Sequence, residues 1–333
     1  MRIILLGPQR RPTLEGVARS LGLSGPVATI TAGWQEREPD DAELSSLLLS
    51  AGGGGAGGGA VNLALYRRWL DVRDRDAEYR AGERELAGVL ADLQDVYLLR
   101  LDYALQAVYA VQRRSSSPDA LSEAVEAVRE LDAAHLSQVN GARGEFFARL
   151  EPHTRPVIAE HRAEVSAVLA GAAALVITGG HVGVLAEVLH LFNVAAALQA
   201  GSPVIAWSAG AMALADRIVL FGDRSPRGPG HAEVYGSGLS LLRDVVLLPH
   251  ARARLLLDDA ARMAVLVRSA QRQVPALRRA LTAAGVPVTV AGDELPLADE
   301  PGVRPLLTLL RCAVRPERLD DDTAAELLTG PLG

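Results

Sequence analysis

Short apolar runs, several of them ending in glycine, alternate with helical segments and limit the folds open to this chain. The run "RIILLG" at residues 2–7 precedes the helical spacing of "PTLEGVARSLGL", and "GPVATITAGW" follows as a second strand. The alternation returns with "AAALVITGG", "VGVLAEVLHLFN", "SPVIAWSAGA", "VVLLPH" and "VPVTVAGDE". Apolar strands separated by helices are typical of a parallel sheet covered on both faces. We predict an α/β fold with an open, mostly parallel sheet flanked by helices.

Long helical segments interrupt this alternation from about residue 63 to 165. Apolar side chains recur there at spacings of three and four residues, which places them on one helix face. Ser117 and Pro118 predict the start of a further helix, with the serine as N-cap. The expected segments are a first part of the α/β domain at 1–62, an all-helical insertion at 63–165 and the rest of the α/β domain at 166–333. The apolar stripe consists of Leu86, Leu90, Leu93, Tyr97 and Leu101.

The composition argues against several classes of partner. A formal net charge of -6 without a dense basic run argues against nucleic acid, since binding phosphates needs clustered cations. The one cysteine, Cys312, excludes an internal disulfide and a cysteine-based zinc site. The apolar run at the N-terminus is too short for a signal peptide, and no run reaches the roughly 18 residues of a membrane span. We expect a soluble, cytoplasmic protein with no membrane partner.

Metal and cofactor sites are also not predicted. His135, His153 and His161 lack the tight spacing of metal ligands, so we expect no metal. The glycine-rich tract at 50–60 lacks the Gly-Lys-Ser/Thr ending and the preceding strand of a phosphate loop, which favours a flexible linker. We expect no cofactor.

Ser208 lies in "VIAWSAGAM", where an apolar strand runs into a helix through small residues. Such a turn projects a serine as a nucleophile elbow, beside helix N–H groups that stabilise an oxyanion. Serine at a strand-to-helix junction is equally the commonest helix cap. The residues alone do not decide between these interpretations, because Ala206 replaces the first glycine of the G-x-S-x-G pattern.

Four segments together resemble a known family. "AWSAGAMALADRIVLFGD" is similar to the elbow of the S51 serine peptidases, the family of aspartyl dipeptidase and cyanophycinase, which have a class I glutamine-amidotransferase-like fold. "LVITGGHVGVLAEVL", "GSGLSLLRDVVLLPHARAR" and "VTVAGDELPLA" resemble further segments of that family in the same order. The resemblance covers roughly residues 171–298, with a weaker match at 1–45, and leaves out the helical insertion.

The resemblance implies a Ser-His-Glu triad acting through an acyl-enzyme. Ser208 would be the nucleophile, His250 the general base and Glu294 the acid that orients it, with Asp293 as the alternative acid. The expected substrate is a small peptide or isopeptide, next to an acidic residue that an arginine would recognise. We place the oxyanion hole at the backbone N–H groups of Gly180 and Ala209. Gly179, His181 and Trp34 are candidate substrate-binding residues.

Several of these positions have two interpretations. His181 replaces the asparagine that usually follows the Gly-Gly pair, and either alters specificity or is a satisfied loop histidine. Trp34, Gln35 and Arg37 either line the pocket or begin a capped helix. His231 lies in a Pro/Gly loop that either closes over a site or is solvated.

Two other functions stay open, as does the oligomeric state. One is a catalytically silent binding or scaffold protein on the same fold. The other is an esterase or amidase of the α/β-hydrolase type, with the acid between Ser208 and His250 in sequence, as Asp223 or Asp244 would be. We expect a homo-oligomer, in the simplest case a dimer, for which the helical insertion is a candidate interface.

Overall fold

The computed structural model describes residues 1–247 except 8, 10–12, 24, 51–58, 115–116, 200 and 222–230. The strands are β1 (Ile3–Leu6), β2 (Val27–Ile30), β3 (Ala60–Asn62), β4 (Ala174–Ile177), β5 (Val204–Trp207), β6 (Ile218–Phe221) and β7 (Ala232–Gly236). The helices are α1 (Leu14–Ser20), α2 (Ala42–Leu48), α3 (Leu65–Arg75), α4 (Ala77–Arg114), α5 (Pro118–Leu150), α6 (Pro156–Gly171), α7 (Val182–Leu191), α8 (Val194–Ala197) and α9 (Ala209–Leu214).

β1 to β5 form one parallel sheet in the order β1-β5-β4-β2-β3. This confirms the predicted α/β class and its parallel sheet. β3 was not predicted, because three residues after a glycine-rich tract give too short a pattern. β6 and β7 were also not predicted as a pair; they form a separate antiparallel hairpin.

Alternate side chains of the strands point to opposite faces of the sheet, and both faces are covered. Ile30, Ile177 and Ala206 belong to a core with α6 and α7. Val176 directly precedes Ile177, and Ile205 directly precedes Ala206. These two residues point to the other face and belong to a second core with α1 and α2. Apolar runs without a polar alternation therefore form strands here because neither face meets water.

Two long helices, α4 and α5, pack against each other. Their shared core contains Tyr97 and Leu101 of the predicted apolar stripe, together with Val128. The predicted N-cap is confirmed, since Ala120 N donates to Ser117 Oγ at 3.4 Å. Val219 and Val234 of the β6–β7 hairpin complete the same core. No helix in the part of the chain described above is both long and apolar enough to cross a membrane.

An ion pair lies where the two long helices join the α/β layer. Arg155 Nε and Nη2 donate to the two carboxylate oxygens of Asp76 at 2.5 and 2.8 Å, with both side chains about 15% exposed or less. The guanidinium lowers the pKa of Asp76. α6 begins directly after this point and packs on the sheet through Ile158 and Leu169. The division into domains drawn above stays a prediction.

The strand predicted at "VVLLPH" does not form in its described part, residues 245–247. The N–H groups of Leu239, Leu241 and Leu242 donate to carbonyls at the end of α9. The chain therefore follows the end of α9 instead of entering the sheet. Leu247 packs in a cluster with Met212 of α9.

A buried polar network connects α4, α5 and β7. Tyr97 OH donates to Asp132 Oδ1 at 2.6 Å and accepts from Val234 N at 3.0 Å. His135 stacks on the Tyr97 ring with centroids 4.1 Å apart, and its Nε2 donates to Gln94 Oε1 at 2.9 Å. His135 Nδ1 has no hydrogen-bond partner among the described residues. Burial of the ring disfavours a second proton and lowers the pKa of His135.

Acid is expected to destabilise the folded protein through His135 and His190. Burial lowers the pKa of both imidazoles in the folded state, and the charge of Arg143 lowers that of His190 further. Between those lowered values and about 6.5 the unfolded chain binds more protons, so the free energy of unfolding decreases as pH falls through this window. Urea denaturation at about pH 7.5 and about pH 5 measures the decrease. The decrease in the free energy of unfolding should be smaller in His135→Gln than in the wild type. It should equal that of the wild type in His153→Gln, whose side chain is exposed. Equal decreases in the wild type and both variants would contradict the prediction.

Candidate functional site

The carboxyl ends of β2, β4 and β5 meet at one edge of the sheet, here called the carboxyl edge. β4 lies between the other two strands, and neighbouring strands are about 4.8 Å apart. Gly33 follows β2, Gly179 and Gly180 follow β4, and Ser208 follows β5. Sites in open parallel sheets gather at such an edge.

Ser208 has a backbone conformation that residues with a side chain rarely adopt. Its φ is 52° and its ψ is -127°. Conformations of this kind cost about 1–3 kcal/mol and persist where the surroundings enforce them. Gly210, two residues later, supplies the enforcement: a Cβ placed there would lie 2.4 Å from Thr178 O and 2.5 Å from Ile177 O. The sharp turn depends on this close approach of α9 to the end of β4.

The Ser208 hydroxyl does not cap α9. The residue stands at the N-cap position, yet its Oγ accepts no hydrogen bond from the helix, and Oγ has no hydrogen-bond partner elsewhere among the described residues. The capping interpretation of this serine is therefore wrong. The side chain is partly exposed, so the hydroxyl is available to a ligand.

Gly179 makes room for the Ser208 side chain. A Cβ on Gly179 would lie 2.9 Å from Ser208 Cβ and 3.2 Å from Ser208 Oγ, so any larger residue would displace the serine. Gly180 adopts a φ of +118°, and a Cβ there would overlap Gly33 O at 2.2 Å. Two predicted site residues, Gly179 and Ser208, are thus in direct contact.

Each of the two predicted oxyanion donors directly follows one of these contacting residues in sequence. Gly180 follows Gly179, and Ala209 is the buried first residue of α9. N–H groups in the first turn of a helix have no acceptor within the helix. The structure therefore brings Gly179, Gly180, Ser208 and Ala209 together at the carboxyl edge.

One ring nitrogen of His181 makes a hydrogen bond within the fold, and the other remains for a ligand. Its Nδ1 accepts the N–H of Val184 at 3.1 Å and so caps α7, while its backbone N–H donates to Gly33 O at 2.7 Å. With Nδ1 as acceptor, the neutral ring carries its proton on Nε2. The side chain is exposed, so this N–H remains a possible donor to a ligand.

The loop after β2 is a 3-10 turn, Ala32–Arg37, and not a capped helix. Thr31 Oγ1 does not cap it but donates to Glu38 O at 3.0 Å. Trp34 is partly buried against the core beneath α1 and α2, which explains its presence without a ligand. Gln35, the next residue, is likewise partly exposed, and it has a φ of 57°.

Sequence reasoning missed Gly33 as part of the site. A Cβ on Gly33 would lie 2.6 Å from Gly179 O, so this glycine lets the loop after β2 approach the loop after β4. A signal for it was present: the three strands are followed directly by "TAG", "TGG" and "SAG", with glycine at the third position each time.

The predicted partners of Ser208 lie outside the described residues. These are His250, Glu294 and the alternative acid Asp293; Asp223 is likewise outside. Asp244, the other acid weighed for a hydrolase-type order, is exposed, and its backbone N–H donates to Asp216 at 3.4 Å.

The remaining histidines that the sequence singled out lie elsewhere. His161 Nε2 bonds Asp71 at 2.8 Å, which gives it a structural partner. His231 lies against α4, with its Nε2 3.7 Å from Asp102. A cavity of about 340 Å³ opens between α5 and the β6–β7 hairpin, away from the carboxyl edge; its polar lining residues are Asp132, Ser137, Asn140 and Arg217.

Comparison with known proteins adds no assignment. The chain matches no family model, and no curated protein is significantly similar to it.

Proposed function

We propose that this chain is a serine hydrolase in which Ser208 is the nucleophile. The observation that carries the proposal is the strained turn at Ser208, whose hydroxyl is left free of the helix that it precedes. A serine that only caps a helix bonds the N–H of the second or third helical residue through its oxygen. The geometry of Ser208 instead supports a nucleophile elbow, at the sheet edge where parallel α/β folds place their sites.

We propose further that the fold is of the class I glutamine-amidotransferase type and that the enzyme is similar to S51 peptidases. The order of the four resembling segments supports this assignment, as does the position of Ser208 at the carboxyl edge. Ala206, the departure from the elbow pattern, is fully buried in β5 between Leu5 and Ile177 on the neighbouring strands. Its methyl group is accommodated without opening the turn.

In the proposed reaction Ser208 Oγ attacks the carbonyl carbon of a peptide or isopeptide bond while His250 takes the hydroxyl proton. The N–H groups of Gly180 and Ala209 bind the oxyanion. Collapse breaks the C–N bond, His250 returns the proton to the leaving amine, and water then hydrolyses the acyl-enzyme by the reverse sequence. Glu294, or Asp293 in its place, orients the histidine.

This mechanism requires the chain after Leu247 to bring His250 to Ser208. Leu247 packs in one cluster with Met212 of α9, the helix that Ser208 precedes. His250 is three residues further along the chain, and three residues span at most about 10 Å. The path of the described chain supports the proposal.

The proposed substrate is a small peptide or isopeptide with an acidic residue beside the scissile bond, recognised by an arginine. The triad needs neither a metal nor a cofactor. We also propose a homodimer formed through the long helices. Apolar side chains that α4 leaves 44–65% exposed recur at spacings of seven, three and four residues, which supports a helix-packing surface; they are Val89, Val96, Leu99 and Tyr103.

Labelling with a fluorophosphonate probe tests the proposal. The folded protein should incorporate about one equivalent of probe, on the peptide that contains Ser208, and heat-denatured protein should incorporate none. Hydrolysis of aspartyl dipeptides, blocked peptides, β-aspartyl-arginine and simple esters then identifies the substrate class.

The other outcomes separate the rival functions. No labelling of well-folded protein would contradict the proposal and favour a silent binding protein, for which the cavity beside α5 is the first place to examine. Ester turnover without peptide turnover would favour a hydrolase-type esterase.

A further inference from the structure

Gln35 and Ser208 share one unusual backbone conformation at the same edge of the sheet. Gln35 has φ 57° and ψ -123°, and Ser208 has φ 52° and ψ -127°. Strain of this kind in residues with side chains concentrates at functional sites. The fold therefore maintains two such turns, one after β2 and one after β5.

A network of side chains fixes the loop that carries Gln35. Asn62 Nδ2 donates to Thr31 Oγ1 at 2.8 Å and to Asp41 Oδ2 at 2.9 Å, which ties the two ends of the loop together. The buried carboxylate of Glu38 accepts the N–H groups of Tyr66 and Arg67 at the start of α3, both at 2.9 Å. The loop is thus held from both sides by bonds that do not involve the Gln35 side chain, while the Gln35 carbonyl accepts the N–H of Glu38 at 2.8 Å.

The Gln35 side chain takes no part in this network. It is partly exposed, and within the described ranges its carboxamide has no hydrogen-bond partner. A side chain that serves the fold would be expected to bond or to be buried. The structure instead maintains a costly backbone geometry that presents an uncommitted donor and acceptor.

Gln35 lies within reach of a small substrate bound at Ser208. Gly33, two residues earlier, contacts the Gly179 and Gly180 backbone, and Gly179 contacts Ser208. β2 and β5 are separated only by β4, so their ends are about 10 Å apart. That separation is spanned by a substrate of two to three residues extended across the glycines.

We propose that Gln35 is a substrate-binding residue whose carboxamide pairs with an amide group of the substrate next to the scissile amide. This inference rests on the proposed function and names the substrate class more closely. A carboxamide both donates and accepts, so it matches a peptide group at two points and carries no charge. The preferred substrate is then a peptide with a second amide group beside the bond that is cut.

Kinetics of Gln35 variants on two matched substrates test the inference. The substrates are an aspartyl dipeptide and the same dipeptide acetylated and amidated at its ends. In Gln35→Ala we expect KM for the blocked peptide to rise roughly fivefold to tenfold, the loss of one or two hydrogen bonds, with KM for the free dipeptide unchanged. Gln35→Glu, which keeps the size and loses the N–H donor, should show part of the same rise.

Gln35→Gly separates strain from binding. It should raise KM for the blocked peptide as Gln35→Ala does and also raise the Tm, because glycine adopts this backbone without strain. Glu151→Gly is the matched control, since Glu151 has a φ of 41° at the distant end of α5; its kinetics should equal those of the wild type.

The outcomes distinguish this inference from the function on which it rests. Probe labelling of Ser208 with an unchanged KM for the blocked peptide in Gln35→Ala would overturn the role of Gln35 alone. Turnover of the free dipeptide but not of the blocked peptide by the wild type would overturn it as well. A wild type that neither labels nor hydrolyses any substrate would overturn both.

Discussion

Ser208→Ala is expected to lower kcat/KM by roughly 10³-fold or more on any substrate that the wild type hydrolyses. The alanine keeps the Cβ that contacts Gly179 and keeps the positive φ, so it removes only the nucleophilic oxygen. Circular dichroism and the Tm should therefore match those of the wild type. Steady-state kinetics and probe incorporation measure the loss.

Ser240→Ala is the matched control for this substitution. Ser240 is another serine with a positive φ, 54°, and it is exposed near the opposite end of α9, where its N–H donates to Ala215 O. Its replacement should leave kcat/KM unchanged. A Ser208→Ala protein that retains wild-type turnover would remove Ser208 from the reaction and leave the elbow geometry without a catalytic meaning.

Gly210→Ala is expected to lower the free energy of unfolding by about 3 kcal/mol, the upper part of the range for overpacking. The added Cβ would lie 2.4 Å from Thr178 O and 2.5 Å from Ile177 O. These carbonyls belong to the end of β4, which pairs on both sides, so neither can move without disturbing the sheet. α9 would have to withdraw, and Ser208 with it.

Gly88→Ala provides the comparison for this prediction. Gly88 lies exposed within α4, and a Cβ there meets nothing within 4 Å. Alanine should stabilise the protein by about 0.5–1 kcal/mol through its higher helix propensity. Urea denaturation of both variants measures the difference. A Gly210→Ala protein as stable as the wild type would show that α9 and β4 approach each other less closely than the structure has them.

The alternating apolar runs were sufficient to predict the parallel sheet and its covering helices. β2 and β4 are buried on both faces, and apart from the buried Thr29 their residues are all apolar. The Ser117 cap was also predictable from the sequence, because the cap and the proline that follows it act within one helical turn. Local patterns of this kind do not depend on the rest of the fold.

The details of the site were not predictable in this way. Whether Ser208 capped its helix depended on how closely Gly210 approaches β4, and the role of Gly33 depended on a contact with a residue almost 150 positions later. The hairpin β6–β7 was missed because its strands are stabilised by packing on α4 and α5 and not by their own pattern. Contacts between distant segments decide such features, and one sequence does not reveal them.

The Asp76–Arg155 pair gives the two long helices a shared base. The chain leaves the α/β layer and returns to it at neighbouring points, so in topological terms α4 and α5 are one long excursion between β3 and β4. An excursion with a common base can change in length by whole helical turns at its far end while the path of the sheet stays fixed. The β6–β7 hairpin would have to change with it, since it packs on the same helices. The sequences of the carboxyl edge and of the helical pair can thus change at different rates during evolution of one chain.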